Sequence, residues 1–322
     1  MPDQTQTGKA FEYALLRAFY DRLSQLTSTN IVETTPYSTA RSCYELFGEN
    51  EKGAYRLVSS EAVNFLLDME PRLSQAISDQ DVLQLEIVSD SRGQSGDVRD
   101  VLAIRRVQHW EIGISAKNNH RAVKHQRLSN RIDFGKKWME LPCSQTYKDE
   151  IRPIFDWLAK LRRESNKTKT WASLGDYHTS VYVPILTAFR DEMLRLEKAN
   201  GTVLAERLVQ YLVGNKDFYK VIKGHGTVEI QAFNMNGTLN QAAGSIRPKA
   251  QIKKLKLPTR VIEVIFDNDS DTSLLFTLNE GWQIRFRIHN ASSRVEPSLK
   301  FDVNLVSSPH TLFTNHISVS EI

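Results

Sequence analysis

Cysteine is almost missing from this chain: Cys43 and Cys143 are the only two. Two thiols far apart in a long chain do not make a disulfide-stapled scaffold. They cannot build a structural zinc site without histidines or carboxylates at ligand spacing, and they fit a reducing cytoplasm. No apolar run approaches the roughly 18 residues that a membrane helix needs, so no membrane partner is expected. The opening residues Met1-Pro2-Asp3-Gln4-Thr5 lack the basic and apolar regions of a secretory signal. Glycine and proline are not enriched, and no internal repeat or low-complexity tract is visible, which sets aside fibrous and repeat architectures.

What is present suits a globular protein. The 322 residues are 40% hydrophobic and 25% charged, ample for one large core or two modest ones. A net charge of +4 says little by itself; its distribution says more. Arg92, Arg99, Arg105, Arg106, Lys117, Arg121, Lys124, Arg127, Arg131, Lys136 and Lys137 are interrupted only by Asp97, Asp100, Glu111 and Asp133. Between Ser245 and Ile262 stand Arg247, Lys249, Lys253, Lys254, Lys256 and Arg260 without any acid. Two basic zones on a nearly neutral chain point to a polyanion whose phosphates they neutralise.

Hydrophobic spacing predicts an amphipathic helix from about Gly8 to Leu26, with Thr7 as N-cap and Phe11, Leu15, Ala18, Phe19 and Leu23 on one stripe. Glu12 borders that stripe, where an acid is either paired or functional. A second helix is expected over Ser60–Ser78 with a break at Pro71. Leu83–Val88 alternates as a strand, and Ser89–Gly96 reads as a polar loop. Residues 145–215 are predominantly helical. After about Asp217 strands and turns take over, at Thr227–Phe233, Val261–Phe266, Leu274–Leu278, Trp282–Ile288 and Phe301–Leu305. The expected division is therefore an α/β part over 1–215 and a strand-rich part over 216–322.

The most informative stretch is a hairpin. Asp97 and Asp100 open the run Val101-Leu102-Ala103-Ile104, and a second strand runs from Trp110 to Lys117. Alternation puts Trp110, Ile112, Ile114 and Ala116 on one face, and Glu111, Gly113, Ser115 and Lys117 on the other. A lysine at the inner end of a half-buried strand costs free energy unless it is paired or used. A carboxylate that holds Mg²⁺ beside a lysine that orients water is the minimum equipment for phosphodiester hydrolysis. Asp100 is the stronger metal ligand because it opens the apolar run; Asp97 alternates to the opposite face and stays open. Downstream, His120, Lys124, Arg127 and Arg131 form a basic stripe if His120–Ile132 is helical.

Asp100 through Lys117 resembles the PD-(D/E)xK nuclease core. Ile114–His120, Lys124–Ser129, Gly96–Asp100 and Phe286–Asp302 are similar to the HaeIII-type type II restriction endonucleases, so the resemblance spans most of the chain. It implies a mixed sheet flanked by helices, Mg²⁺ as cofactor, and double-stranded DNA as partner. It also implies blunt cutting at GGCC and a cognate methyltransferase acting on the same sequence. The family's aspartate falls on Asp100 or Asp97, without the preceding proline, and its lysine falls on Lys117. The acid of the (D/E)xK triplet falls on Ser115, which cannot supply the missing charge. Glu12 is the better replacement, since Glu111 lies about 20 Å from Lys117 along an extended strand. The expected catalytic set is thus Asp100, Lys117, Glu12, Asp97 and Ser115, with Asp100, Glu12 and Asp97 as metal ligands.

Phosphate contacts are expected from Asn118, His120, Lys124, Arg127 and Arg131. In the strand-rich part, Arg247, Lys249, Arg285, Arg287, His289, Asn290 and Arg294 are expected to contact DNA, since Arg and Asn suit bidentate contact with purine edges. A palindromic target leaves a monomer and a homodimer both open. Two other readings compete: a catalytically silent DNA-binding protein, to which Ser115 points, and a nuclease directed by DNA structure.

Overall fold

Alternation in Trp110–Asn118 survives in three dimensions, and it organises half of the protein. The computed structural model describes residues 3–89, 97–118, 122–268 and 270–319, with the backbone alone for 122–125. The chain forms two compact units, one from residues 1–121, 214–255 and 311–322, the other from 122–213 and 256–310. One of the crossings falls at 213/214, close to residue 215. Strands after that point are nevertheless shared between both units, so neither side of residue 215 is confined to one of them.

Among the described residues, the first unit holds a seven-stranded mixed sheet and three α-helices. Its strands are β1 (Thr29–Ile31), β2 (Leu83–Ile87), β3 (Val101–Arg105), β4 (Trp110–Asn118), β6 (Phe218–Lys223), β7 (Thr227–Phe233) and β12 (Phe313–Ser318), side by side in that order. Two neighbouring pairs, β1–β2 and β4–β6, are parallel and the rest antiparallel. Helices α1 (Gln4–Leu23), α2 (Thr35–Glu45) and α3 (Glu49–Met69) contribute to a core with one face of this sheet. Phe11, Leu15, Leu16 and Phe19 of α1 are fully buried there beside Ile112, Ile114, Tyr219 and Val221. Burying one such side chain contributes about 1.5–3 kcal/mol.

Three expectations are corrected here. The cap of α1 is Asp3, which exchanges side-chain hydrogen bonds with Gln6 at 2.8 Å, so the helix starts before Thr7. α3 begins eleven residues before Ser60, though it does break before Pro71, which opens a short 3₁₀ turn. The expected helix over His120–Ile132 is a strand, β5 (Ala122–Leu128), and it belongs to the second unit.

That second unit holds a five-stranded antiparallel sheet in the order β5, β11 (Leu299–Ser307), β10 (Gln283–Asn290), β9 (Ser273–Leu278) and β8 (Val261–Phe266). With it come α4 (Phe134–Met139), α5 (Gln145–Glu164), α6 (Val183–Asn200) and α7 (Val203–Val213). Phe189 of α6 packs on Phe276, Phe286 and Phe301 with ring centroids 5.0–5.9 Å apart, and Trp138 of α4 joins them. Both cysteines are free. No described helix is long and apolar enough to cross a membrane.

Candidate active site

β3 and β4 are paired so that Val101 lies opposite Ile114 and Ala103 opposite Ile112. These side chains all point into the helix-covered core. Asp100 extends the ladder by one residue: its N–H donates to the Ile114 carbonyl at 2.8 Å, and its carbonyl accepts from Val88 at 2.9 Å. The backbone of Asp100 is therefore held from both neighbouring strands, and its side chain leaves on the face shared by Ser115 and Lys117.

On that face Asp100 Oδ2 accepts from the Ala116 N–H at 2.7 Å and from Ser115 Oγ at 3.2 Å, and Lys117 Nζ donates to it at 3.5 Å. Oδ1 accepts no hydrogen bond from the described residues. The Asp100 and Lys117 side chains keep 22% and 29% of their exposure, so the site opens to solvent. Ser115 is buried and donates to Asp100, which helps to orient the carboxylate.

Asp97 does not share this role. Arg99 grips it through Nε–Oδ1 at 2.7 Å and Nη2–Oδ2 at 2.8 Å, and reaches Glu111 with Nη1 at 2.8 Å. Burial alone disfavours the charged guanidinium, yet the two carboxylates hold Arg99 above its ordinary value. The arginine lies flat against Gly113, where a Cβ would meet Arg99 Cδ at 2.0 Å. Only a glycine admits that approach.

Glu12 is buried on α1 with Oε2 3.1 Å from Lys9 Nζ. Among the described residues no group of three or more His, Cys, Asp or Glu is placed to hold a metal ion, so Asp100, Glu12 and Asp97 are not assembled into one ligand set. The donor chemistry at Asp100 still fits Mg²⁺. One open carboxylate oxygen suffices for an ion that keeps several waters and takes its other ligands from substrate phosphates.

Asn118 points away from Asp100. Its Nδ2 donates to the Tyr55 hydroxyl at 3.3 Å on the helix-covered side, where burial and then the Glu51 charge push the phenol up to about 12. His120 lies outside the described residues, and of Lys124 the backbone alone is described. Arg127 and Arg131 are exposed in the second unit, but strand geometry removes the helical stripe that joined them to His120 and Lys124. Arg127 Nη1 donates to Ser298 at 3.2 Å. Sequence spacing missed Lys220. It lies on β6 in register with Ser115, so the pleat directs it to the same face as Asp100, and it is 5% exposed. The alternation of Tyr219, Lys220 and Val221 was the available signal; its meaning depended on the β4–β6 pairing.

The remaining candidates fall in both units. Arg247 and Lys249 belong to the first, where Lys249 Nζ lies 2.9 Å from Asp68. In the second, Arg285 and Arg287 pair with Asp267 and Asp302. Asn290 Oδ1 accepts from Tyr182 at 3.4 Å, and Arg294 forms a bridge with Thr170.

A family model described as HaeIII restriction endonuclease matches residues 8–309. The type II restriction enzyme HaeIII of Haemophilus aegyptius is 37% identical over 307 residues, which cover 95% of each chain. No solved structure matches.

Proposed function

This chain belongs to the HaeIII restriction endonuclease family and is a homologue of a type II restriction enzyme. From that premise we propose that it hydrolyses phosphodiester bonds of duplex DNA at GGCC, leaving blunt ends, with Mg²⁺ as cofactor. The observation that carries the proposal is Asp100. Three donors from one strand fix its Oδ2, while Oδ1 stays open to a ligand.

Asp100 Oδ1 would hold the ion. Bound there, Mg²⁺ would supply positive charge at a phosphate oxygen and lower the pKa of a coordinated water. Lys117 does the complementary work: its ammonium stabilises charge that builds on the phosphate in the transition state and orients the attacking water. Ser115 and the Ala116 N–H fix the carboxylate in advance, so no reorganisation is spent on it during the reaction. Lys220 adds a second ammonium to the same face, where it offsets the charge of the substrate phosphates.

The cognate methyltransferase implied by the family would share the target without binding this chain. A second reading, DNA binding without cleavage, draws on one observation: the described residues hold no three-ligand group. Incubation with unmethylated plasmid and Mg²⁺, beside EDTA and Lys117→Ala controls, separates the two. Discrete fragments ending within GGCC, lost in both controls, support the nuclease. Binding without fragments supports the silent form, and a smear points to structure-directed cutting.

A further inference from the structure

The open face of the five-stranded sheet carries an arrangement that the cleavage site does not use. Along β10, Ile284, Phe286 and Ile288 are buried in the core, while Arg285, Arg287 and His289 alternate outward. Along β11, Leu299, Phe301 and Val303 are buried, while Lys300, Asp302 and Asn304 alternate outward. Register sets Arg287 opposite Asp302, His289 opposite Lys300, and Arg285 opposite Asn304. Arg287 Nη2 lies 2.5 Å from Asp302 Oδ2, and His289 Nε2 lies 3.4 Å from Asp302 Oδ1. Arg285 Nε lies 2.5 Å from Asp267 Oδ2.

The exposures are unequal in each pair. Asp302 and Asp267 keep 16% and 14%, whereas Arg287 and Arg285 keep 56% and 42%. The acids form the floor and the guanidinium groups stand above them. Ion pairs with one partner in solvent add little stability, so stability alone does not explain two of them on one strand. A guanidinium has five N–H donors in a planar fork. Arg287 donates one of its N–H groups to Asp302, while Arg285 Nε is ion-paired with Asp267 without a hydrogen bond, and most of each guanidinium stays exposed.

We propose that Asp302 and Asp267 are positioning residues that hold Arg287 and Arg285, with His289, in place to read guanine edges in the major groove. The inference rests on the reading of this chain as a nuclease that cuts a guanine-containing target. Arginine reads guanine through paired hydrogen bonds to O6 and N7, which require a defined plane of approach. A fork already held by a carboxylate loses less rotamer freedom on binding. The acids have a second effect. They cancel part of the positive charge that would otherwise bind any phosphate, and so shift the balance from backbone attraction toward base contact. Arg285 and Arg287 are two residues apart, about 7 Å along the strand, so they address separate base pairs.

The test uses the full chain, with Asp302→Asn, Asp267→Asn and Arg287→Ala beside wild type. Cleavage is measured as kcat/KM on the duplex that wild type cuts and on duplexes with one base pair changed. Affinity for an unrelated duplex and Tm are measured in parallel. Asp302→Asn is expected to reduce the discrimination between target and altered duplex at least tenfold. Affinity for unrelated DNA stays level or rises, and Tm stays near that of wild type. Arg287→Ala loses the same discrimination. Unchanged discrimination in Asp302→Asn and Asp267→Asn, or a uniform loss that follows Tm, overturns the positioning role and leaves the nuclease reading intact. A wild type that cuts no defined sequence, or one without guanine, overturns the nuclease reading and this inference with it.

Discussion

Lys117 Nζ lies 3.5 Å from Asp100 Oδ2 across two paired strands, and the same oxygen is held at 2.7 Å by the Ala116 N–H. The lysine is thereby placed beside the carboxylate without occupying its second oxygen. Asp100→Asn keeps the shape and removes the charge. It is expected to lower cleavage by about 10²–10³-fold, the cost of losing one preorganised charge partner at a reacting phosphate. DNA binding measured without Mg²⁺ should change little.

Ser115 donates to Asp100 and holds no charge of its own. Ser115→Ala removes one hydrogen bond to an ionised acceptor, worth about 1.5–3 kcal/mol, or roughly 10–100-fold in rate. Ser115→Asp sets a second carboxylate against Asp100. That variant should cut more slowly than wild type at low Mg²⁺ and recover as the ion is raised. A rate that ignores Mg²⁺ concentration would count against an ion at this position.

Gly113 and Arg99 form a packing pair. Gly113→Ala drives a methyl into Arg99 Cδ, which must move and loosen its pairs with Asp97 and Glu111. Overpacking of this kind costs about 1–3 kcal/mol, read as a lower urea midpoint. In an Arg99→Ala background the same substitution should cost clearly less, and a double-mutant cycle measures the difference.

Glu70 ends α3 fully buried, accepting from the Tyr219 hydroxyl at 2.7 Å and from the Asn240 N–H at 2.6 Å. Burial raises its carboxyl to about 7, and those two hydrogen bonds only partly oppose it. The folded state therefore binds the proton more tightly than the unfolded chain. This stabilisation is complete below the ordinary carboxylate range and is lost as pH rises through about 7. Relative to Glu70→Gln, wild type should lose up to about 3 kcal/mol of unfolding free energy between pH 4.5 and pH 8. Parallel urea titrations of the two proteins measure it.

Period-two patterns were readable wherever both strands of a pair lay close in sequence. The hairpin of β3 and β4 needed only the 18 residues from Asp100 to Lys117 to place these two side by side. β5 was misread because basic residues at helical spacing also suit a strand, and the deciding partner, β11, lies some 170 residues downstream. Arg99 counted only as part of a basic zone in the sequence, and its pairing with Glu111 at 2.8 Å came with the hairpin register. Glu12 was read correctly as an inward acid, but its Lys9 partner one turn earlier was overlooked. Burial is visible in local spacing; pairing between distant segments is not.

The chain passes between its two units at 121/122, 213/214, 255/256 and 310/311. β12 caps β7 in the first unit, yet it follows the whole of the second in sequence. Recombination that exchanges one contiguous gene segment cannot transplant either unit whole. A break after residue 310 would strip β7 of its neighbour and leave a bare row of N–H and C=O groups open to aggregation. The two units are thus tied to one another by the path of the chain, and an exchange that keeps both sheets intact must replace them together.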